Sequence, residues 1–299
     1  MPPSKVLLRL PATSANLGPG FDCLGLALDL WSAATLEAHE VEVEPGPNGL
    51  EPIPAMALVA AQAFYQASGI AAPKGLSFDW RNGFPLARGL GASAAVRAAA
   101  LLGANALAGN PLDVEDLLPI GASLEDHADN ITPALLGGLQ VAVWQEGRVV
   151  HAPVAVPAGL RVVLMVPDMA MPTDESRRLL AAEVPRADAV YNLGHASLLV
   201  AALAAGRLEL LATACDDRLH QPARSQLLPA MGSITDAAKA SGALCSYLSG
   251  GGSTIAAWTL QNEKAVARAM LQAAETAGCP GETIITTPSA KGAQVLQTE

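Results

Sequence analysis

The stretch Pro85-Leu86-Ala87-Arg88-Gly89-Leu90-Gly91-Ala92-Ser93-Ala94-Ala95 constrains this chain more than any other, because it opens an alanine-rich run that continues to Ala108. Glycines on either side of Leu90 let backbone N–H groups turn toward a ligand and let that ligand come close. The run behind them is a strong helix candidate, and a helix N-terminus carries unpaired N–H groups and partial positive charge. A glycine loop feeding such an end is an anion site, most often one for phosphate. Three readings compete. A P-loop would need Gly-Lys-Ser/Thr at its end, and Ala92-Ser93 stands there instead. A dinucleotide fingerprint accepts Gly89-x-Gly91-x-x-Ala94, but Pro85 sits in the approach, where an apolar strand belongs, and no acidic residue holds the ribose-reading offset. Taken alone, the loop is either a phosphate cradle or a structural turn before a core helix.

Composition removes several classes of partner. Of 299 residues, 51% are apolar and 15% charged, a globular balance at a length that divides into two lobes. The net charge of −10 argues against nucleic-acid and anionic-membrane partners, which need a broad basic face. Phosphates can still be held locally by loop amides, a helix end and a few arginines. Cys23, Cys215, Cys245 and Cys279 are scattered without a CxxC pair, and read as reduced structural thiols of a cytoplasmic protein. The first residues lack a signal-peptide apolar core, and Gly, Asn and Arg interrupt the alanine-rich stretches short of a membrane span.

Along the chain, Val6 to Leu10 reads as a strand, and further β-like alternation lies between Leu26 and Val43. Pro45-Gly46-Pro47-Asn48-Gly49 is a turn cluster, and Met56 to Ser68 has helical spacing ending at Gly69. Leu76 to Trp80 is a strand before the glycine loop and its helix. A helix over 111–124 and a hairpin over 137–144 and 148–151 follow, and Pro153 to Pro157 marks a boundary between lobes at 1–155 and 156–299. Beyond it come strand 160–166, a polar segment from Thr173, and helices 187–205, 209–214 and 228–241. Strand 245–248, turn 249–253, strand 254–259, helix 262–277 and strand 283–287 complete the series. Strands and helices mix without a regular βαβ beat, so the fold class is α+β rather than a doubly wound parallel sheet.

The glycine loop does not stand alone. Pro11-Ala12-Thr13-Ser14-Ala15-Asn16-Leu17-Gly18-Pro19-Gly20-Phe21-Asp22 is a polar, glycine-bearing loop directly after the first strand. Glu125-Asp126-His127-Ala128-Asp129-Asn130 is another, and Ser249-Gly250-Gly251-Gly252-Ser253-Thr254 a fourth. Polar side chains gathered into glycine-bearing turns of an otherwise apolar chain mark a built site. His39, His151, His195 and His220 carry no spacing signal and read as ordinary, and Trp31, Trp80, Trp144 and Trp258 read as core.

In this order, the four segments resemble those of the GHMP small-molecule kinases, and the first resembles the branch acting on homoserine. The resemblance spans nearly the whole chain. It implies a two-lobed fold, an N-terminal α+β lobe and a smaller ferredoxin-like C-terminal lobe, with the site between them. It also implies ATP-dependent, Mg²⁺-requiring phosphorylation of the side-chain hydroxyl of L-homoserine, a step toward threonine, and is compatible with a homodimer. Pro85 to Ala95 would hold ATP phosphates. By the same similarity Asn16, Asp22, His127, Asn130, Arg177 and Arg224 would bind substrate. Asp22 suits the ammonium, and the two arginines suit the carboxylate, which they can grip at two points. Ser93 and Glu125 are the metal candidates, since Mg²⁺ prefers oxygen ligands. Asp129 is either a weak candidate for a general base or a brace for the loop around Asn130, so no base is assigned.

Some positions depart from the family pattern. Ala92 stands where many relatives have a serine, Asp126 replaces a glycine, Ala128 a proline and Ser253 a proline. An asparagine near the adenine pocket gives way to the apolar stretch Pro54 to Leu58. Two rivals follow: a mevalonate-type kinase of the same fold, and a non-catalytic sensor that binds the small molecule without transferring phosphate. The Asn16–Asp22 loop disfavours the first, because mevalonate has no ammonium.

Overall fold

The computed structural model describes residues 3–43 and 52–299, so the turn cluster at 45–49 lies outside the described residues. Ten strands are described: β1 Lys5–Ala15, β2 Leu24–His39, β3 Gly75–Arg81, β4 Leu139–Gln145, β5 Arg148–Val154, β6 Arg161–Pro167, β7 Cys245–Leu248, β8 Ile255–Thr259, β9 Gly281–Thr286 and β10 Gln294–Thr298. They form a six-stranded sheet in the order β10-β1-β2-β4-β5, with β3 also on β2, and a four-stranded sheet β7-β8-β6-β9. All the strand pairings are antiparallel, as an α+β chain requires and a doubly wound sheet does not.

The first strand runs five residues past the expected end at Leu10. Proline ordinarily interrupts a ladder, but here the register between β1 and β2 shifts at Pro11, pairing it with Trp31 and Ala12 with Leu28. That bulge absorbs the missing donor and carries the polar residues Thr13 and Ser14 into the buried interior. The β4–β5 hairpin closes through Glu146 and Gly147, both at positive φ, the conformation a two-residue turn demands. β5 extends to Val154, so the expected lobe boundary falls between β5 and β6.

The helices are α1 Pro52–Ser68, α2 Ala92–Leu107, α3 Val114–Glu125, α4 Ile131–Leu136, α5 Thr173–Arg178, α6 Arg186–Ala204, α7 Leu211–Ala214, α8 Gln221–Arg224, α9 Met231–Ala240 and α10 Glu263–Thr276. The alanine-rich α2 is buried on almost every side, which small side chains permit. It packs between α1 and β1. In the second sheet, β6 alternates. Val162, Leu164 and Val166 join the large core shared with the first sheet, whereas Val163 and Met165 meet Ile234 of α9 and Met270 of α10.

Several expectations need correction. The segment expected as a helix at 209–214 splits into a 3₁₀ turn, Leu208–Leu210, and the single turn α7. The polar segment from Thr173 is the helix α5, and α4, α8 and β10 are additional. All are too short to show a period. Of the four tryptophans only Trp258 is fully buried, and Trp144 is exposed. Among the described residues α6 is the one helix long and apolar enough to cross a bilayer by length and composition, and Leu199, Ala202 and Leu203 on it are buried against the protein. The four cysteines are free, and burial pushes the Cys23 thiol up to about 11, with Asp129 and Asp22 adding to it.

Candidate active site

The phosphate-loop candidate enters one cavity as residues 86–93, whereas Pro85, Ala94 and Ala95 do not line it. Ala94 and Ala95 are fully buried in the core behind. The first bond of α2 runs from the Ala95 N–H to the Gly91 carbonyl at 2.9 Å, so that amide is engaged, while those of Ala92, Ser93 and Ala94 precede the ladder. Both glycines are required. A Cβ on Gly89 would lie 2.1 Å from the Ser249 carbonyl oxygen, and one on Gly91 would lie 1.8 Å from Thr13 Oγ1. The loop is therefore wedged between β1 and the late glycine loop. Ser249 Oγ donates to the Gly89 carbonyl at 2.6 Å, and Thr13 N–H to the Leu90 carbonyl at 3.1 Å. Arg88 turns its guanidinium onto carbonyls of Leu86, Ala87, Pro167 and Asp168. Its side chain fastens the loop to β6, so what the loop offers a ligand is backbone.

Beside the helix end, Ser93 Oγ lies 3.0 Å from both carboxylate oxygens of Glu125, the last residue of α3. Arg97, one turn further along α2, also pairs with Glu125. A hydroxyl and a buried carboxylate at one point form the hard-oxygen set that Mg²⁺ accepts, with remaining positions left for water and phosphate. Among the described residues no group of three or more His, Cys, Asp or Glu gathers as a metal cluster, so the fit is to a metal shared with a phosphate ligand. Arg97 was not foreseen, although its place four residues after Ser93 puts both on one helix face.

The charged side chains sit across the same cavity. Asp22 and Arg177 form a two-point pair, Nη2 to Oδ1 at 2.6 Å and Nη1 to Oδ2 at 3.1 Å. Burial works against the Arg177 charge, but the Asp22 carboxylate outweighs it. Arg224 is buried on the short helix α8. Its Nη1 donates to the Gly250 carbonyl at 3.1 Å and to His220 Nδ1 at 2.9 Å, and its Nε has no partner. Burial, then Arg177, push it down to about 10, so it remains charged at neutral pH. Phe21 lies between them, its ring centroid 5.5 Å from the Arg177 guanidinium carbon and 5.4 Å from that of Arg224.

Asn16, at positive φ, donates from Nδ2 to the Gly250 carbonyl at 2.9 Å and accepts from the Asp22 N–H at 3.0 Å. It shapes the loop as well as lining the cavity. His127 Nδ1 lies 2.6 Å from Asp129 Oδ1, a close ion contact without a linear hydrogen bond, and Nε2 is 3.8 Å from Glu125. Burial lowers the His127 value, yet the two carboxylates win and hold it above the usual histidine range. Asn130 accepts from Thr13 Oγ1 at 2.7 Å and donates to Asp129 at 3.2 Å. Asp129 thus has two neighbours to brace.

His220 was read as ordinary, and the structure sets it behind the substrate loop. It is fully buried, its Nε2 donates to the Gly18 carbonyl at 2.8 Å, and its ring stacks on Phe21. Asp217 accepts from the N–H groups of Leu219, His220 and Gln221, and from Asn192 on α6, which also reaches the Pro19 carbonyl. The spacing of His220 and Arg224, four residues on one helical turn, was the available signal. The substituted positions fall into place too. Asp126 is exposed at φ 61°, where glycine would be easiest. Ser253 is buried and donates to the Met169 carbonyl at 2.6 Å. Ile53 and Met56 of α1 supply an apolar wall beside the phosphate loop.

Comparison with known proteins agrees with this geometry. Residues 55–138 match the GHMP kinases N terminal domain and residues 199–276 the GHMP kinases C terminal. The chain is 39% identical over 294 residues to the homoserine kinase of Carboxydothermus hydrogenoformans, covering 96% of each. It is 39% identical over 272 residues to that of Moorella thermoacetica, covering 89% of this chain and 92% of that one. Among solved structures, the homoserine kinase from Cytophaga hutchinsonii superposes with a TM-score of 0.88 at 28% identity, covering 98% of both chains. With both halves of the family matched on one chain and its loops gathered at one cavity, this protein belongs to the GHMP kinases.

Proposed function

We propose that this chain is a homoserine kinase, transferring the γ-phosphoryl group of ATP to the side-chain hydroxyl of L-homoserine. The carrying observation is the buried Arg224, with an unpartnered Nε, sharing one cavity with the Asp22–Arg177 pair and the free amides of α2. A zwitterion bearing a hydroxyl and a triphosphate are the two ligands such a cavity suits. The relatives named above, similar over nearly their whole length, are homoserine kinases.

The division of labour follows from position. Amides of residues 89–93 hold phosphate oxygens at the helix end, and the apolar wall of Ile53, Met56 and Val96 takes the base. Ser93 and Glu125 would hold Mg²⁺, which neutralises charge on the phosphate oxygens when bound. Asp22 takes the substrate ammonium, while Arg177 and Arg224 take the carboxylate. The substrate hydroxyl oxygen forms its bond to the γ-phosphorus as the bond to the β-phosphate bridging oxygen breaks. ADP leaves, and the hydroxyl proton passes to a phosphate oxygen or to water. Asp129, tied to His127 and Asn130, braces the loop in this scheme. The lobes expected at 1–155 and 156–299 form the two sides of the cleft, except that β10 crosses back to the first lobe's sheet beside β1, and the free thiols suit the cytoplasm.

The test is ADP release by purified protein with ATP, Mg²⁺ and a panel of homoserine, mevalonate and galactose. Turnover with homoserine alone is expected. Turnover with mevalonate and not homoserine would overturn the assignment, and homoserine binding without turnover would make the protein a sensor.

A further inference from the structure

His220 has two hydrogen-bond partners whose roles leave no choice of tautomer. The Gly18 carbonyl, 2.8 Å from Nε2, can only accept. The Arg224 guanidinium, 2.9 Å from Nδ1, can only donate. The imidazole is therefore neutral, protonated at Nε2 and bare at Nδ1. With Gly250 taking the other Nη1 hydrogen, that terminal nitrogen of Arg224 is fully engaged. Nε, unpartnered and buried, remains with Nη2 as the edge that grips carboxylates.

We propose that His220 is a positioning residue for the substrate carboxylate, resting on the homoserine kinase reading. As the neutral Nε2–H tautomer it locks Arg224 to the first glycine loop and turns its Nε/Nη2 edge toward the carboxylate. The charged groups facing it are few. Asp217 Oδ2 lies 3.6 Å from Nε2, Arg224 meets Nδ1, and Asp22 acts from the loop that carries Gly18 and Phe21. Asp217 already accepts from four donors around it, so its charge is committed. Burial pushes His220 below the ordinary histidine value, Asp217 and Asp22 pull against this, and Arg224 adds to it. A proton placed on Nδ1 would remove this acceptor and set two cations in contact.

The experiment measures KM for homoserine and for ATP in the wild type and in His220→Asn, at about pH 6 and about pH 8, a range in which homoserine keeps its zwitterionic form. Asn can still offer an acceptor where Nδ1 stood but cannot reach the Gly18 carbonyl. Cutting the tie between Arg224 and the first glycine loop is therefore expected to raise KM for homoserine in His220→Asn by about tenfold, with KM for ATP unchanged. The effect should be confined to KM for homoserine at both pH values. An unchanged KM for homoserine, or equal rises for both substrates, would overturn the proposal. Should the variant fail to fold, nitrogen-15 NMR of histidine-labelled wild type decides the point. An Nε2–H neutral imidazole at neutral pH, perturbed by homoserine, is expected. An imidazolium or an Nδ1–H tautomer defeats the proposal. Absence of any homoserine turnover in the wild type at the higher pH would instead defeat the activity reading, leaving the tautomer to be judged from the spectrum.

Discussion

Asp22 and Arg177, 155 residues apart in the chain, hold each other through two charge-assisted hydrogen bonds across the candidate substrate cavity. Each is about one-third exposed, so the pair is within reach of a ligand. A zwitterionic substrate can exchange this single ion pair for two, its ammonium on Asp22 and its carboxylate on Arg177. A substrate lacking either charge would strand one partner. Under the proposed function, the resting pair would select for amino-acid zwitterions.

Asp22→Asn should raise KM for homoserine by about ten- to a hundredfold, the worth of a charged hydrogen bond, with KM for ATP little changed. Steady-state kinetics with each substrate varied in turn checks this. Equal losses for both would mean that the loop is only structural.

Gly91→Ala should disable the nucleotide site, because its Cβ would meet Thr13 Oγ1 at 1.8 Å and Asn130 Oδ1 at 3.0 Å. A rise of at least about tenfold in KM for ATP is expected, with a stability loss of more than about 1 kcal/mol. Gly69→Ala is the control. Its φ is nearly the same, 69° against 67°, yet nothing lies within 4 Å of the added atom. Thermal melts should show the backbone cost at both sites, and the kinetic defect only at Gly91.

Chelation should abolish ADP release, and added Mg²⁺ should restore it. Ser93→Ala is expected to raise the Mg²⁺ concentration for half-maximal rate by about tenfold, since it removes one of two oxygen donors. An unchanged Mg²⁺ requirement in this variant would move the metal away from Ser93.

The His127–Asp129 contact should contribute stability with a definite pH sign. The folded value of His127 is raised, so the contribution is complete below the ordinary histidine value and disappears as pH rises through the folded one. Urea unfolding of wild type and His127→Gln across about pH 5 to 9 should show the wild-type advantage shrinking toward the alkaline end. An advantage that grows with pH would mean that His127 is buried neutral.

The loops of the site were legible in the sequence because glycine and polar side chains stand out in a chain half apolar. Residues 86–93, Asn16, Asp22, Glu125, His127, Asn130, Arg177 and Arg224 line one cavity. What escaped was how the same side chains pair with one another. Nothing local says that Arg177 will wait on Asp22, that Arg97 will neutralise Glu125, or that Arg88 will face carbonyls instead of phosphates. Those choices depend on which loops the sheet brings together. The same holds for β1, whose run through Pro11 depends on a bulge against β2, and for β10, which is exposed on most of its residues and exists because β1 offers it an edge.

That last strand sets a schedule for the molecule. Arg9 Nε reaches Gln294, 285 residues away, and β1 carries the substrate loop at its far end. In folding, then, β1 keeps one flank bare until the segment around Gln294 reaches it. Contacts so distant in sequence form slowly. Until β10 docks, β1 is an open sheet edge of the kind that pairs with other chains.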